Sequence, residues 1–164
     1  MRIKSLFVAF FIFLVSCSGV NTNGSRQKLY FAHPLNTYNT ALEAKLLLDI
    51  KKAFPDWEIE NPNQKSTDEG VKRWIAKSGN AMDYFTKELL PVCCNGGVFL
   101  PLRSGEWSSG VWLEAQFLGS LGYPLWKIDA EGKVTPIRAE EMKSLSLEET
   151  RRRLRDSEGR YRPY

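Results

Sequence analysis

Histidine occurs once in these 164 residues, at His33, and that scarcity removes most metal chemistry, because a structural zinc needs four His, Cys or carboxylate ligands. Cysteine is nearly as scarce. Cys93 and Cys94 are adjacent, and neighbours form only a strained, rare bridge, so with Cys17 as the third there is no disulfide framework. Two thiols just ahead of an apolar run read as core packing. We expect neither a structural metal nor a cofactor. Repeats and low-complexity tracts are absent, and the apolar run Leu6 to Val15 is too short to span a bilayer stably. A surplus of one charge is missing from the body of the chain as well. Residues 151–164 hold six arginines against Asp156 and Glu158, while residues 17–150 carry 15 basic against 17 acidic side chains. The basic isoelectric point is therefore a property of the tail. A nucleic-acid binder needs a basic face with interleaved aromatics, so no nucleic-acid partner is expected.

What the N-terminus does have is Arg2 and Lys4 ahead of that apolar run, the order of an export signal. The run ends in Leu14-Val15-Ser16-Cys17, which resembles the lipobox of bacterial lipoproteins, with Cys17 becoming the acylated first residue. An ordinary signal peptide cleaved nearby and a short membrane anchor are the alternatives. Residues 1–16 then form the signal, residues 17–27 a polar linker, residues 28–138 an α/β domain, and residues 139–164 a C-terminal helix with a basic tail. The resemblance implies a cell-envelope protein held to the membrane through an N-terminal lipid and facing away from the cytoplasm. Ser18 after the cysteine resembles outer-membrane sorting.

Along the domain, short β-rich runs alternate with helical periodicity. Lys28 to Ala32 reads as the first strand, and the polar loop His33 to Thr40 follows, a usual place for a binding site. The spacing predicts a helix over about 41–54, capped by Thr40 or Asn39 and ended by Pro55. Trp57-Glu58-Ile59 alternates as a second strand. Helices are expected over 68–77 and 82–90. Lys133 to Ile137 carries Pro136 and must be an edge strand, and Ser146 with Glu149 has the form of a capping box opening a terminal helix. Its arginines read as a solvated helix end, and contact with anionic lipid or a neighbouring subunit is the sharper alternative. The alternation argues a mostly parallel, doubly wound, Rossmann-like sheet in a three-layer α/β sandwich.

The chemistry is concentrated in Asn95 to Ile128. Gly97 to Leu100 suits a buried strand. After a loop, Val111, Ala115, Leu118 and Leu121 recur three or four apart as one face of a helix that Gly122 and Pro124 stop. Leu125 to Ile128 returns as a strand. Ligands of open α/β sheets collect at the strand carboxyl ends beside helix N-termini, where Glu114 sits. From spacing alone Glu114 reads first as a solvated helix glutamate.

LYFAHPLNTYNT at 29–40, NPN at 61–63, AMDYF at 81–85 and NGGVFLPL with SSGVWLEA further on resemble the nucleoside 2-deoxyribosyltransferase-like superfamily, including its deoxynucleotide N-hydrolase relatives. The match spans roughly residues 28–128, at the level of short motifs and their order. It implies about five strands, a small-molecule nucleoside or nucleotide ligand, and a nucleophilic carboxylate. Ser109-Gly110-Val111-Trp112-Leu113-Glu114 occupies the end of the family's helix motif, which carries the nucleophile onto Glu114 and its orienting tyrosine onto Tyr30. His33, Asn36, Asn95, Ser108 and Gly110 are carried over as substrate-binding, and one cleft is expected to hold Tyr30, His33, Asn36, Asn95 and Glu114. Asn95 and Ser108 or Ser109 stand where the family has aspartates, which leaves Asp83 or His33 to protonate a leaving base. The resemblance implies cleavage or transfer at an N-glycosidic bond, or a catalytically silent nucleotide-binding module. A homo-oligomer stays open.

Overall fold

In Lys28–Ala32 every residue after the first is buried, and successive side chains leave a strand on opposite sides. Leu29 and Phe31 therefore join one apolar cluster with Leu46, Ile50, Val98, Leu100 and Ile128. Tyr30 and Ala32 join another with Leu90, Phe99, Val111, Ala115 and Leu118. A strand buried on both faces must be central, with helices above and below. That is what the structure, a computed structural model describing residues 27–164, contains. The export signal, Cys17 and nearly all of the linker lie outside the described residues.

Five strands, β1 (Lys28–Ala32), β2 (Glu58–Glu60), β3 (Gly96–Phe99), β4 (Leu125–Ile128) and β5 (Val134–Ile137), stand in the order β2-β1-β3-β4-β5. All neighbours are parallel except β4 and β5. Pro136 lies in that antiparallel edge strand, where a residue without an N–H is tolerated. The sheet is the centre of a Rossmann-like three-layer sandwich, as the alternation predicts. Helix α1 (Ala41–Ala53) covers the Leu29 face, and its N-cap Thr40 accepts from Glu43 N. The opposite face carries α4 (Leu90–Cys93) and α5 (Ser109–Ser120), with Gly122 in the left-handed conformation that closes α5.

Two stretches differ from the sequence expectation. Helix α2 is Lys65–Ser78, beginning three residues before Asp68, because it starts directly off the turn after Pro62 and its first turn holds only polar residues, Thr67 alone among them buried, so it gives no apolar signal. The helix expected over 82–90 is instead α3 (Ala81–Tyr84), a π-turn at Phe85–Leu89, and α4, so that the chain stays helical through Pro91 to Cys93. Pro91, which has no N–H to give, stands just after the π-turn passes into α4. Cys93 and Cys94 are paired as a vicinal disulfide, where two free thiols were expected, although both do pack in the Tyr30 cluster.

Close packing of α5 on β3 depends on Gly97. A Cβ there would meet Phe99 Cζ at 2.5 Å and Leu118 Cδ1 at 3.0 Å. Gly97→Ala should therefore lower the unfolding free energy by about 1–3 kcal/mol through overpacking. A urea midpoint unchanged from wild type would show that Phe99 moves aside at no cost.

Candidate functional site

The strand order turns back between β1 and β3, the place where an open α/β sheet leaves a crevice. A cavity of about 840 Å3 lies there, at the carboxyl ends of β1, β2 and β3. The loop after β1 gives it His33, Pro34, Leu35 and Tyr38, and the segment after β2 gives Pro62, Thr67 and Asp68. The N-terminal turns of α5 add Ser108, Ser109, Gly110, Val111 and Glu114.

Glu114 is buried, 7% exposed, and does not take the solvated position its spacing first suggests. Its neighbours in α5, Val111, Ala115 and Leu118, face the core, and Glu114 shares that face at the end nearest the crevice. Tyr30, fully buried on β1, donates its hydroxyl to Glu114 Oε1 at 2.9 Å. The two residues are 84 apart in sequence, and only the parallel pairing of β1 with β3 brings them together. Burial pushes the Glu114 carboxyl up to about 8, and the Tyr30 hydrogen bond opposes that rise. Burial and the neighbouring Glu114 hold Tyr30 well above the ordinary phenol range, so Tyr30 remains a donor. Oε2 of Glu114 accepts no hydrogen bond among the described residues, which leaves one carboxylate oxygen for a ligand.

His33 is in the cavity wall but both ring nitrogens are occupied. Nδ1 is 2.7 Å from Thr37 Oγ1, whose own hydrogen goes to Pro34 O. Nε2 is 3.1 Å from Asn61 Oδ1 and 3.6 Å from Glu43 Oε1. Asn61 and Asn63 both donate to the buried Glu43 carboxylate, which ties the loop after β1 to α1 and to the loop after β2. Burial lowers the His33 pKa, while Asn61 and Glu43 pull it back. The ring packs between Phe31 and Tyr38 at tilted angles, with centroids 4.4 and 4.7 Å away. His33 is therefore a support for the cavity wall, with no nitrogen free to pass a proton to a ligand.

Of the other residues carried over, Ser108 and Gly110 line the cavity, Ser108 as the N-cap of α5. Asn95 does not. It is exposed at the amino end of β3, where its main chain donates to Lys28 O, because β3 begins just after it and the crevice opens beyond the strand's other end. Asn36 also falls outside. Its Nδ2 donates to Arg162 O at 3.1 Å, and it borders a smaller cavity with Arg103 and Tyr164. Asp83 is taken up by Asn80 and Lys87, at 2.9 and 2.6 Å, away from the cavity. The acid that sequence order does not single out is Asp68, in the first turn of α2, exposed and lining the cavity. Its signal was the start of α2: with the helix beginning at Lys65, Asp68 falls in the first turn beside the NPN loop.

The C-terminal helix α6 (Leu147–Leu154) forms a further wall, with Thr150, Arg151, Leu154 and, just beyond it, Arg155. Thr150 Oγ1 accepts from Ser109 N at 3.0 Å, which fixes α6 to the start of α5. The C-terminal segment thus contributes a wall of the cleft through α6 and Tyr161. Among the described residues no three His, Cys, Asp or Glu side chains converge as a metal would require. Comparison of the chain with known protein families, with curated proteins and with solved structures finds no match, so what the cleft does is read from its geometry and its motifs.

Proposed function

We propose that this cleft binds a nucleoside- or nucleotide-like compound with its sugar over Glu114, and that the protein cleaves or transfers at the N-glycosidic bond. The observation that carries the reading is the Tyr30–Glu114 pair: a buried carboxylate held by a phenol at 2.9 Å, on the wall of a cavity large enough for a nucleotide. The motif order that resembles the deoxyribosyltransferase superfamily supports it. In the proposed step a Glu114 oxygen bonds to the anomeric carbon as the bond to the base nitrogen breaks. The electron pair leaves with the base, and Asp68 supplies its proton. Water or an acceptor base then displaces Glu114, which departs as the carboxylate, and the proton shed by the attacking water or base returns to Asp68. Tyr30 keeps the carboxylate in one rotamer throughout, and no cofactor is required.

A second reading is supported by one specific observation. A carboxyl with a pKa near 8 is largely neutral at pH 7, which suits a hydrogen-bonding group of a silent, lipid-anchored nucleotide-binding module better than a nucleophile. Base release from a panel of nucleosides and nucleotides, followed by chromatography, separates the two. Binding without release by wild type at any pH between 6 and 9 would end the enzymatic reading.

Within the enzymatic reading, the acid can be tested. Asp68→Asn should slow base release by about 10²–10⁴-fold, the usual worth of a general acid. Asn95→Asp should leave it unchanged, since Asn95 is at the far end of β3. A rise in turnover with Asn95→Asp would overturn this assignment. The envelope location rests on Leu14 to Cys17, and Cys17→Ala should abolish labelling by a radioactive fatty acid. Equal labelling of wild type and variant would remove the lipoprotein proposal.

A further inference from the structure

Glu43 is buried in the first turn of α1, 5% exposed, and the only basic group within ion-pair distance among the described residues is His33 Nε2, at 3.6 Å. A carboxylate in such a place is costly unless hydrogen bonds replace its water. Three donors do so. Asn39 N donates to Oε2, Asn61 Nδ2 donates to Oε1 at 2.8 Å, and Asn63 Nδ2 stands 2.9 Å from each oxygen. None of the three lies in α1: they come from the two loops that leave the carboxyl ends of β1 and β2 at the cleft. Asn39 is the one non-glycine residue with positive φ among the described residues, at 59°, and its N–H is the one that Glu43 accepts.

We propose that Glu43 is a positioning residue for the proton donor: by gripping the turn Asn61-Pro62-Asn63 it fixes where α2 starts, and so holds Asp68 at the cleft. The proposal rests on the reading above, in which Asp68 protonates the leaving base. The Asp68 carboxylate has no hydrogen bond and no ion pair among the described residues, so the α2 backbone alone decides where it stands. The start of α2 has no side-chain cap. Its N-cap Gln64 turns back instead, with Nε2 on Asn61 O at 2.7 Å and the main-chain N on Pro62 O at 2.8 Å, and Asn63 N donates to Asn61 Oδ1 at 3.2 Å. The turn is thus folded on itself and needs an outside anchor. Asn61 has His33 as a second contact, whereas the Asn63 side chain reaches only Glu43 and Asn39. Further along, α2 is set against α3 at Gly70, where Tyr84 leaves no room for a Cβ. That contact fixes the middle of the helix, and Glu43 supplies the second point that stops its first turn from swinging. A displacement of about 1 Å at a reacting group costs roughly 10²-fold in rate, so a carboxylate that never touches the ligand can govern proton delivery.

Two substrates separate this role from a general one in the fold. Adenine leaving 2′-deoxyadenosine needs a proton, and 4-nitrophenolate leaving 4-nitrophenyl 2-deoxyribofuranoside does not. Glu43→Gln should lower kcat for 2′-deoxyadenosine by about 10- to 100-fold while nitrophenol release stays within about threefold of wild type. Added to Asp68→Asn, it should slow adenine release no further, because the two changes remove one function. Equal slowing of both substrates, or a loss that adds to that of Asp68→Asn, would overturn the proposal. Glu43→Gln sets an amide against buried donors, so Asn63→Ala, at a half-buried loop residue, tests the same connection from its other end. It should show the same selective loss, and adenine release at the wild-type rate would overturn the proposal whether or not Glu43→Gln folds. Wild type that releases neither adenine nor nitrophenol would overturn the cleavage reading and the positioning role with it. Wild type that releases both, with no selective loss in either variant, would overturn the positioning role alone.

Discussion

Glu114→Gln should lower base release from a 2′-deoxynucleoside or its monophosphate by at least about 10²–10⁴-fold, while leaving the fold intact and ligand binding within a few-fold of wild type. The expectation comes from the different demands of binding and cleavage. Glutamine has the shape of glutamate, keeps an oxygen that can accept from the Tyr30 hydroxyl, and carries no charge to desolvate at a position only 7% exposed. What it cannot do is form the bond to the anomeric carbon or balance the positive charge that develops as the base leaves. Binding can therefore survive a substitution that removes the chemistry. Calorimetry and a base-release assay on the same preparation check both halves. Release equal to wild type would transfer the nucleophile away from Glu114 and leave the cleft as a binding module. A variant that binds and does not cleave would place Glu114 at the bond that breaks.

Tyr30 and Glu114 were legible in the sequence only through the motifs around them. Spacing alone assigns Glu114 to solvent, since an isolated glutamate on an amphipathic helix is usually exposed. It is the pairing of β1 with β3 that buries it. Strands β1, β4 and β5 and helices α1, α5 and α6 follow from local signals: Thr40, Gly122 and the Ser146–Glu149 capping box each mark a helix boundary where the structure has one, and Pro136 marks β5 as an edge strand. Asn95 shows the limit of motif order. It sits beside β3 in sequence, but a strand has two ends, and a residue just before Gly96 must lie opposite the carboxyl-end crevice. Asn36 shows another limit: its partner is the Arg162 carbonyl, 126 residues away, and no local pattern announces a contact of that separation. The arginines of α6 read as a solvated helix end because helical periodicity says which residues share a face without saying what stands opposite. The bond from Ser109 N to Thr150 decides that.

The acid limb of kcat/KM should lie near pH 8, and Tyr30→Phe should move it higher. Burial raises the Glu114 carboxyl from its ordinary 4.5 to about 8, and the attacking form is the anion, so with an activated substrate whose base leaves without a proton from Asp68, kcat/KM should rise with pH until Glu114 is ionised in the free protein. The Tyr30 hydroxyl favours the anion, and phenylalanine removes that donor while keeping the ring in the β1 core. The same ionisation acts on stability. A carboxyl whose pKa is higher folded than unfolded binds its proton more tightly in the native state. Its contribution is fully present below about 4.5 and is lost as pH rises through about 8. The loss approaches about 5 kcal/mol at most, from the separation of the two pKa values. Urea unfolding of wild type should therefore show stability falling between pH 5 and about pH 8 more steeply than in Glu114→Gln, which has no proton to lose. A wild-type acid limb near pH 5, together with identical pH slopes for the two proteins, would mean that Glu114 is ionised at neutral pH and that the cleft holds water or charge enough to solvate it. A limb near pH 8 that Tyr30→Phe shifts upward would tie the phenol on β1 to the ionisation of the carboxylate on α5.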